Sequence, residues 1–372
     1  MAKRKGKAQR RFKQWHNEDS IDVGSSKGKF AARATKIPAW RLQSVSESLE
    51  NLPQRKGMVV GLYPGGALVR SEAQVLICGV AGTFRPPEGA SALTVGDEVT
   101  VAMMPQTTAG SLDKERSDGV ILFREPRSTL LARPQPKSGK HHDQYDETVA
   151  FLKVVAANMD QLMIVAATRQ PRLRPALIER YLIVAQRGDM KPVVVINKID
   201  IDRPDEEMLA GLTEIGVTPL LASASTGEGL AELMHILQGK RTVLAGASGV
   251  GKSTLVNAII PGASAATQPV RIKDQRGRHT TAATMVYDLP PERFAGGGML
   301  LDTPGVRELA MEMHIRELSW YYPEFEPLVP QCRFRNCTHT HEPQCAVIAA
   351  VEAGAVPESR YDSYLRIAET LE

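Results

Sequence analysis

Two short nucleotide-binding motifs occur in this chain in the reverse of their usual order. The tetrapeptide Asn197–Asp200, with the sequence NKID, matches the guanine-specificity motif of GTPases. The phosphate-binding loop, Gly246–Ser253 with the sequence GASGVGKS, normally precedes that motif but here follows it. Both motifs can form one site only if the usual fold is circularly permuted, which is tolerated where the original termini lie close together. The order therefore predicts a circularly permuted P-loop domain of the α/β class.

The phosphate-binding loop lies between an apolar run, residues 242–245, and a helix-like run, residues 254–260. Glycines let successive backbone N–H groups curl around a phosphate, and the start of the helix adds partial positive charge. We expect Lys252 to reach the β and γ phosphates and Ser253 to ligate Mg²⁺. An ordinary glycine-rich turn is the alternative. The predicted nucleotide contacts are Gly246, Ala247, Ser248, Gly249, Val250, Gly251, Lys252, Ser253 and Thr254.

The guanine motif, Asn197–Asp200, follows a continuous apolar run at residues 192–196, which is typical of a buried parallel strand. Ligands bind at the carboxyl ends of such strands. A carboxylate at Asp200 can accept hydrogen bonds from N1–H and the 2-amino group of guanine, which adenine does not offer. Ser223 and Ala224 follow the next apolar segment and are placed to offer a backbone N–H to guanine O6. The predicted base contacts are Asn197, Lys198, Ile199, Asp200, Ser223 and Ala224.

Two segments after the phosphate-binding loop match the switches that sense the γ-phosphate. Residues 298–305 end in the pattern DxxG, where Asp302 would hold Mg²⁺ through water and the amide of Gly305 would contact the γ-phosphate. A polar loop at residues 276–281 is suited to a first switch whose threonine completes the Mg²⁺ shell. Both Thr280 and Thr281 fit that role. The predicted Mg²⁺ ligands are Ser253, Thr280, Thr281 and Asp302.

A group that orients the attacking water is harder to identify. Many GTPases place a glutamine directly after the DxxG glycine, but Val306 stands there. The nearest histidine linked to a motif is His279, which can hydrogen-bond a water at neutral pH. A structural or merely exposed histidine is the alternative. We therefore predict His279 as the catalytic group.

Three of the four cysteines lie close together near the end of the sequence. Cys332, Cys337 and Cys345 surround two histidines, His339 and His341, either of which would complete four ligands. Thiolates and imidazole are the ligands of tetrahedral structural Zn²⁺. A disulfide is disfavoured, because a long chain with a nucleotide site and no secretory signal belongs in a reducing compartment, here the cytoplasm.

Composition and the positions of glycine and proline divide the 372 residues into five segments. Residues 1–50 form a basic, flexible extension suited to RNA phosphates or to solubility. Residues 51–130 contain about five short β-rich runs typical of an OB-like barrel, although other small barrels fit the same pattern. A linker at 131–147, the G domain at 148–308 and a zinc-binding domain at 309–372 complete the prediction. No apolar run approaches a membrane span, so we expect no membrane partner, and we expect a monomer.

These features together resemble the ribosome small subunit-dependent GTPase A family, the circularly permuted GTPases of bacteria. The motifs that carry it are residues 156–162, 246–254, 302–308 and 332–339, and the resemblance covers most of the chain from about residue 56 onward. It implies an OB-fold, a permuted G domain and a mainly helical C-terminal domain with one structural Zn²⁺ bound by Cys332, Cys337, His339 and Cys345. It also implies late assembly of the small ribosomal subunit, contact with 16S rRNA, GTP hydrolysis to GDP stimulated by that subunit, and a role for His279 in hydrolysis.

Two other classes of protein fit parts of the pattern. One is a metabolic small-molecule NTPase or kinase in which the barrel and the zinc module are structural, but no second catalytic constellation is found. The other is a zinc-stabilised RNA-binding protein with an inactive G domain, which the intact Lys252, Ser253, Asp302 and Asp200 argue against.

Overall fold

A computed structural model describes residues 40–41, 51–63, 65–72, 74–80, 93–105, 117–134, 152–173, 175–263, 284–303 and 313–371. These residues form two compact units, one at 40–303 and the other at 313–371. The predicted basic extension lies outside the described residues, apart from a two-residue strand, β1 (Trp40–Arg41). Within the described part of the chain, no helix combines the length and apolarity needed to span a membrane.

A five-stranded barrel opens the first unit. Its strands are β2 (Gln54–Tyr63), β3 (Gly66–Ser71), β4 (Gln74–Val80), β5 (Glu98–Met103) and β6 (Gly119–Arg124). They pair in the order β6-β4-β3-β2-β5, and β5 pairs with β6 to close the barrel. Alternate side chains such as Val69, Val99 and Ile121 fill the interior, where Cys78 is buried. The predicted OB-like barrel is confirmed.

A short antiparallel pair of strands follows the barrel. Strand β7 (Leu130–Pro134) pairs with β8 (Leu152–Ala157). The start of the segment predicted as a linker, residues 131–134, is therefore part of a strand. Leu131 is fully buried and belongs to the main core of this unit. Its burial explains why these residues form a strand packed on the core rather than an exposed linker.

The central sheet of the first unit has six strands. They are β9 (Gln161–Ala167), β10 (Lys191–Asn197), β11 (Leu220–Leu221), β12 (Arg241–Ala245), β13 (Met285–Asp288) and β14 (Met299–Asp302). Their order is β11-β10-β9-β12-β14-β13, and β13 alone is antiparallel to its neighbour. Strand β12, which leads into the phosphate-binding loop, is thus central in space although it follows β9 to β11 in the chain. The predicted circular permutation is confirmed.

Helices cover both faces of this sheet. They are α1 (Pro175–Arg187), α2 (Glu206–Glu214), α3 (Leu230–Leu237) and α4 (Lys252–Ile259). In strand β9, Leu162 and Ile164 join one core while Met163 and Val165 join the other, as the two-residue period of a strand requires. Buried side chains of α1 pack on the first core and those of α3 and α4 on the second. Only residues 238–240 connect α3 to β12, as expected for the joined original termini.

The barrel and the sheet are joined within the first unit by close backbone contacts. Gly96 has φ = +93°, and a Cβ there would lie 1.9 Å from the carbonyl oxygen of Ala157. The amide of Ala157 donates to Val95 O (3.0 Å), and Asn158 Nδ2 donates to Gly96 O (2.9 Å). Glycine at position 96 is therefore required for this approach.

The second unit is mainly helical, as predicted. It contains α5 (Ile315–Leu318), the 3₁₀ turns Ser319–Tyr321, Pro323–Phe325 and Val329–Gln331, and helices α6 (Ala346–Glu352) and α7 (Glu358–Ala368). Its small core is aromatic: the rings of Tyr322, Phe325 and Tyr364 lie 5.0–5.2 Å apart between centroids. Because so small a core buries little apolar surface, a metal ion bound in this unit would add to its stability.

Candidate functional site

The predicted nucleotide-binding residues of the first unit gather at one edge of the central sheet. Parallel pairing places Asn197, the last residue of β10, opposite Ala167 of β9, and places Asp302, the last residue of β14, opposite Leu244 of β12. Gly246 follows the end of β12 at the same edge. The carboxyl ends of neighbouring parallel strands are the usual place for ligands in open α/β sheets.

Backbone geometry explains the glycines of the phosphate-binding loop. Gly246 has φ = +137°, and a Cβ there would lie 2.2 Å from Val165 O. Gly251 has φ = +91°, and its Cβ would lie 2.5 Å from Nδ2 of Asn197. Helix α4 begins directly after Gly251 without a side-chain cap, so its first-turn amides are available to an anion.

Lys252 lies folded over the phosphate-binding loop. Its side chain is buried, and Nζ donates to Gly246 O and to Ala247 O, at 2.8 Å each. This fixes the ammonium group above the loop that is predicted to hold the phosphates. Of the remaining predicted contacts in this segment, Val250 is buried, whereas the side chains of Ser248, Ser253 and Thr254 are exposed.

The guanine motif contacts the phosphate-binding loop directly. Nδ2 of Asn197 donates to Val250 O (3.0 Å), and Nζ of Lys198 donates to Gly249 O (2.6 Å). The same ammonium group also donates to Gln170 O (2.8 Å). Sequence analysis missed Gln170, because its residue type carries no signal for a contact made through the backbone carbonyl.

Asp200 and the segment after β11 complete this part of the site. Ser223 Oγ donates to Oδ1 of Asp200 (2.5 Å) and accepts from the amide of Thr226 (3.1 Å), which fixes the exposed carboxylate in place. The amide of Ala224 donates to Oδ1 of Asn197 (3.2 Å) rather than standing free for a base. Ile199 is buried beneath the turn. The structure thus brings the guanine motif, Ser223 and Ala224 together.

The second switch is described only at its start. Asp302 is half-buried at the end of β14, and Thr303 after it is buried. Burial raises the pKa of Tyr287 on strand β13, and the carboxylate of Asp302 adds to that rise. The remaining predicted switch residues lie outside the described residues; these are His279, Thr280, Thr281 and Gly305.

The second unit contains a compact group of possible metal ligands, Cys332, Cys337, His339 and Cys345, which we call the cysteine cluster. One donor atom from each lies within 4.8 Å of the others. Cys332 Sγ lies 3.9 Å from Cys345 Sγ, and His339 Nδ1 lies 3.4 Å from Cys345 Sγ. Tetrahedral Zn–S bonds of about 2.3 Å place ligand atoms about 3.8 Å apart, so the spacing fits such an ion.

The histidine of this cluster is His339. Its Nδ1 faces two of the thiols, whereas Nδ1 of His341 lies 2.9 Å from the hydroxyl of Thr340. The hydroxyl of Tyr361 donates to His339 O (2.8 Å), which fixes the backbone beside the ligand. The choice between the two histidines, which spacing alone leaves open, is thus decided by geometry in favour of His339.

The cysteine cluster favours a thiolate. A hydrogen bond from Cys337 is the main cause that lowers the pKa of Cys345 to about 4, against the opposing effect of burial. Metal ions bind thiolates rather than thiols, so Cys345 is the thiol best prepared to bind one, whereas burial raises the pKa of Cys332 and the hydrogen bond to Cys345 raises the pKa of Cys337.

Glu342 organises the loop beside the cluster. Burial opposes its ionisation, but hydrogen bonds from Thr338 and from the backbone of His341 lower its pKa to about 2. Its Oε1 accepts from both the amide and the hydroxyl of Thr338, at 2.6 Å each, and Oε2 accepts from the amide of Thr340 (3.1 Å). No sequence pattern predicted this role of Glu342.

Comparison with known proteins identifies what the chain resembles. The family model RsgA GTPase matches residues 124–312. The chain is 35% identical over 295 residues to the small ribosomal subunit biogenesis GTPase RsgA of Chlorobaculum tepidum, covering 78% of this chain and 89% of the relative. It is 37% identical over 315 residues to the protein of the same name from Moorella thermoacetica, covering 83% and 95%.

Two solved structures have a similar fold. YjeQ from Thermotoga maritima matches with a TM-score of 0.61 at 32% identity, covering 86% of this chain and 99% of that structure. YloQ, described as a circularly permuted GTPase, matches with a TM-score of 0.57 at 27% identity, covering 86% and 95%.

Proposed function

The chain belongs to the RsgA GTPase family and is a GTP hydrolase, and from this premise we propose that it acts in late assembly of the small ribosomal subunit. It binds the subunit through 16S rRNA, hydrolyses GTP to GDP and phosphate when the subunit stimulates it, and then leaves. Barrel (51–130), G domain (148–308) and zinc-binding domain (309–372) are the parts that carry this out. The curated relatives named above are small ribosomal subunit biogenesis GTPases, which supports the assignment.

One structural observation supports GTP as the nucleotide. Asn197 and Lys198 of the guanine motif donate hydrogen bonds to the carbonyl groups of Val250 and Gly249 in the phosphate-binding loop. A base held by Asp200 and a phosphate chain held by the loop therefore belong to one molecule. Replacing guanine by adenine would leave the carboxylate without its donors, at a cost of about 1.5–3 kcal/mol for each lost bond.

Each phosphate-binding group has a distinct task. Lys252 neutralises the β and γ phosphates, and the amides at the start of α4 donate to them. Ser253 and Asp302, with Thr280 or Thr281, would hold Mg²⁺, which would supply positive charge beside the phosphates. The amide of Gly305 senses the γ-phosphate, and His279 orients the attacking water.

Zinc is the metal of the cysteine cluster. Three thiolates and one imidazole give a closed, four-ligand set, which is typical of structural rather than catalytic Zn²⁺. The lowered pKa of Cys345 supplies a thiolate at neutral pH. Zinc therefore stabilises the second unit, whose aromatic core is small. The chain works as a monomer in the cytoplasm, where bacterial small subunits assemble.

Phosphate release with and without purified small ribosomal subunits tests this function most directly. We expect weak release from the protein alone and a strong increase with subunits, because the bound subunit completes the switch arrangement. Lys252→Ala is the negative control for this assay. The variant lacks the ammonium group that binds the phosphates, so both its GTP affinity and its subunit-stimulated phosphate release should be lost.

Co-sedimentation distinguishes this function from a metabolic enzyme. The protein should pellet with small subunits in the presence of a non-hydrolysable GTP analogue and much less with GDP. Equal pelleting in the two nucleotide states, or phosphate release that subunits do not change, would contradict the proposal.

A further inference from the structure

The segment between the first two cysteines of the cluster projects four consecutive exposed side chains, Arg333–Asn336. Phe334 is 38% exposed and is the only aromatic among the exposed large apolar side chains of the described residues. A single exposed apolar side chain is common on protein surfaces, so the neighbours of Phe334 decide whether it can bind a partner.

This ring is held in place before any partner arrives. The guanidinium of Arg333 lies 5.4 Å from the centroid of Phe334, and its Nη1 donates to Oε1 of Gln344 (3.1 Å). The carbonyl of Phe334 accepts from the amide of Cys337 (3.2 Å). Because ligands of the cluster fix both ends of the segment, little conformational freedom remains to be lost on binding.

Charge defines the class of partner. Between Glu326 and Glu342 there is no acidic residue, while Arg333 and Arg335 precede and follow Phe334 in the chain. An exposed aromatic ring with one guanidinium over it and a second exposed arginine next in the chain matches an unpaired nucleobase and its neighbouring phosphates. Double-stranded RNA does not match, because its bases are already stacked on each other.

We propose that Phe334 stacks on an unpaired base of single-stranded RNA, with Arg333 and Arg335 bound to the adjoining phosphates. The inference rests on the proposed function, since the RNA would belong to the small ribosomal subunit. It assigns the direct base contact to this segment of the second unit.

The test uses zinc-loaded full-length protein, a labelled oligouridylate and the same oligomer with abasic sites, with binding followed by fluorescence anisotropy. Phe334→Ala should bind oligouridylate roughly ten-fold more weakly, and Phe334→Tyr should bind as the unchanged protein does. Neither change should affect the abasic oligomer, which keeps the phosphates. Arg335→Ala should weaken binding of both oligomers and reduce the salt slope by about one.

Two controls separate stacking from other effects. Arg366→Ala removes an exposed arginine from helix α7 and should leave binding unchanged. Zinc content is measured for each variant, and Phe334→Leu, which retains apolar contacts but has no aromatic face, replaces the alanine variant if the latter loses metal.

The outcomes separate this inference from the function on which it rests. Unchanged oligouridylate binding by Phe334→Ala, or equal weakening with the abasic oligomer, would overturn stacking while leaving the assembly function intact. Weaker pelleting with subunits but unchanged oligouridylate binding would assign Phe334 to a ribosomal protein and would also overturn it. Failure of the unchanged protein to pellet with subunits would reject the assembly function, and the oligomer result would still decide stacking.

Discussion

The side-chain amide of Asn197 donates a hydrogen bond to the backbone carbonyl of Val250 over 3.0 Å. Its other end, Oδ1, accepts from the amide of Ala224 (3.2 Å). One side chain thus connects the end of strand β10, the phosphate-binding loop and the segment after β11. The fit also requires Gly251, where a Cβ would lie 2.5 Å from the same amide nitrogen. Asn197 therefore sets the spacing between the base and phosphate parts of the site.

Asn197→Ala should weaken GDP and GTP binding equally, because the lost contacts do not involve the γ-phosphate. It leaves a carbonyl and an amide without partners, at about 1–3 kcal/mol for each buried group, which corresponds to roughly ten-fold or more in affinity. Titration with fluorescent GDP and a fluorescent GTP analogue measures this. The matched control is Asn257→Ala, an exposed position on α4. A loss confined to one nucleotide would contradict the assigned role.

Asp200→Asn should move nucleotide preference from guanine toward xanthine. Xanthine presents a carbonyl where guanine has its 2-amino group, so an amide donor suits it better than a carboxylate. Ser223 can still donate to the oxygen at position 200, so the turn should keep its shape. Competition between GTP and XTP measures the change, with Asp202→Asn as the neighbouring control. Retained GTP selectivity would show that Asp200 does not contact the base.

Sequence patterns predicted those strands and loops whose structure is determined by residues that are neighbours in the chain. The continuous apolar run before Asn197 and the glycine pattern around Gly246 identify strands and loops without knowledge of tertiary contacts. The position of β7 could not be inferred in this way. The surrounding stretch, residues 127–145, is basic and rich in proline, and the pairing of β7 with β8 depends on contacts that are remote in the chain.

Contacts made through the backbone were also beyond prediction. Lys198 binds the carbonyl groups of Gln170 and Gly249, and a carbonyl acceptor leaves no mark in residue type. The choice between His339 and His341 likewise depends on side-chain direction, which the spacing of ligands does not specify. Motifs therefore identified which residue types form the site, whereas the hydrogen bonds between them are known only from the structure.

Metal removal should unfold the second unit and weaken binding to small subunits. The free energy of metal binding contributes directly to folding when ligands converge only in the folded state. Thermal unfolding before and after chelation, with metal loss confirmed, measures this. Cys337→Ala should behave like the chelated protein, whereas Cys78→Ala, in the barrel, should retain its metal. An unchanged melting curve after confirmed metal loss would show that zinc does not stabilise the second unit.

His279→Ala should bind GTP normally but hydrolyse it slowly in the presence of small subunits. Loss of a positioned general base or water-orienting group typically slows turnover by about 10²-fold or more. Single-turnover phosphate release measures the step after binding. His235→Ala, at an exposed position on α3, is the matched control. Near-normal stimulated turnover in the His279 variant would reject its catalytic role.

Asp97 and Glu98 are neighbours in the chain but differ in burial, so the contributions of their two ion pairs to stability can be compared directly. Asp97 and Arg127 form an ion pair with both side chains fully buried, at 2.6 Å. Glu98 and Arg241 form an exposed pair at 3.0 Å. Burial is the main cause that lowers the pKa of Arg124 to about 10; nearby Arg127 lowers it further and Asp97 raises it.

Asp97→Asn should therefore destabilise the first unit far more than Glu98→Gln. Asp97→Asn removes the negative charge that pairs with the buried Arg127 and that raises the pKa of Arg124, and breaking one partner of a buried ion pair costs about 3–5 kcal/mol. Loss of the exposed pair should cost less than about 1 kcal/mol. Urea unfolding followed by circular dichroism measures both variants under the same conditions. Similar losses in the two variants would mean that burial does not determine how much each ion pair contributes to the stability of the first unit.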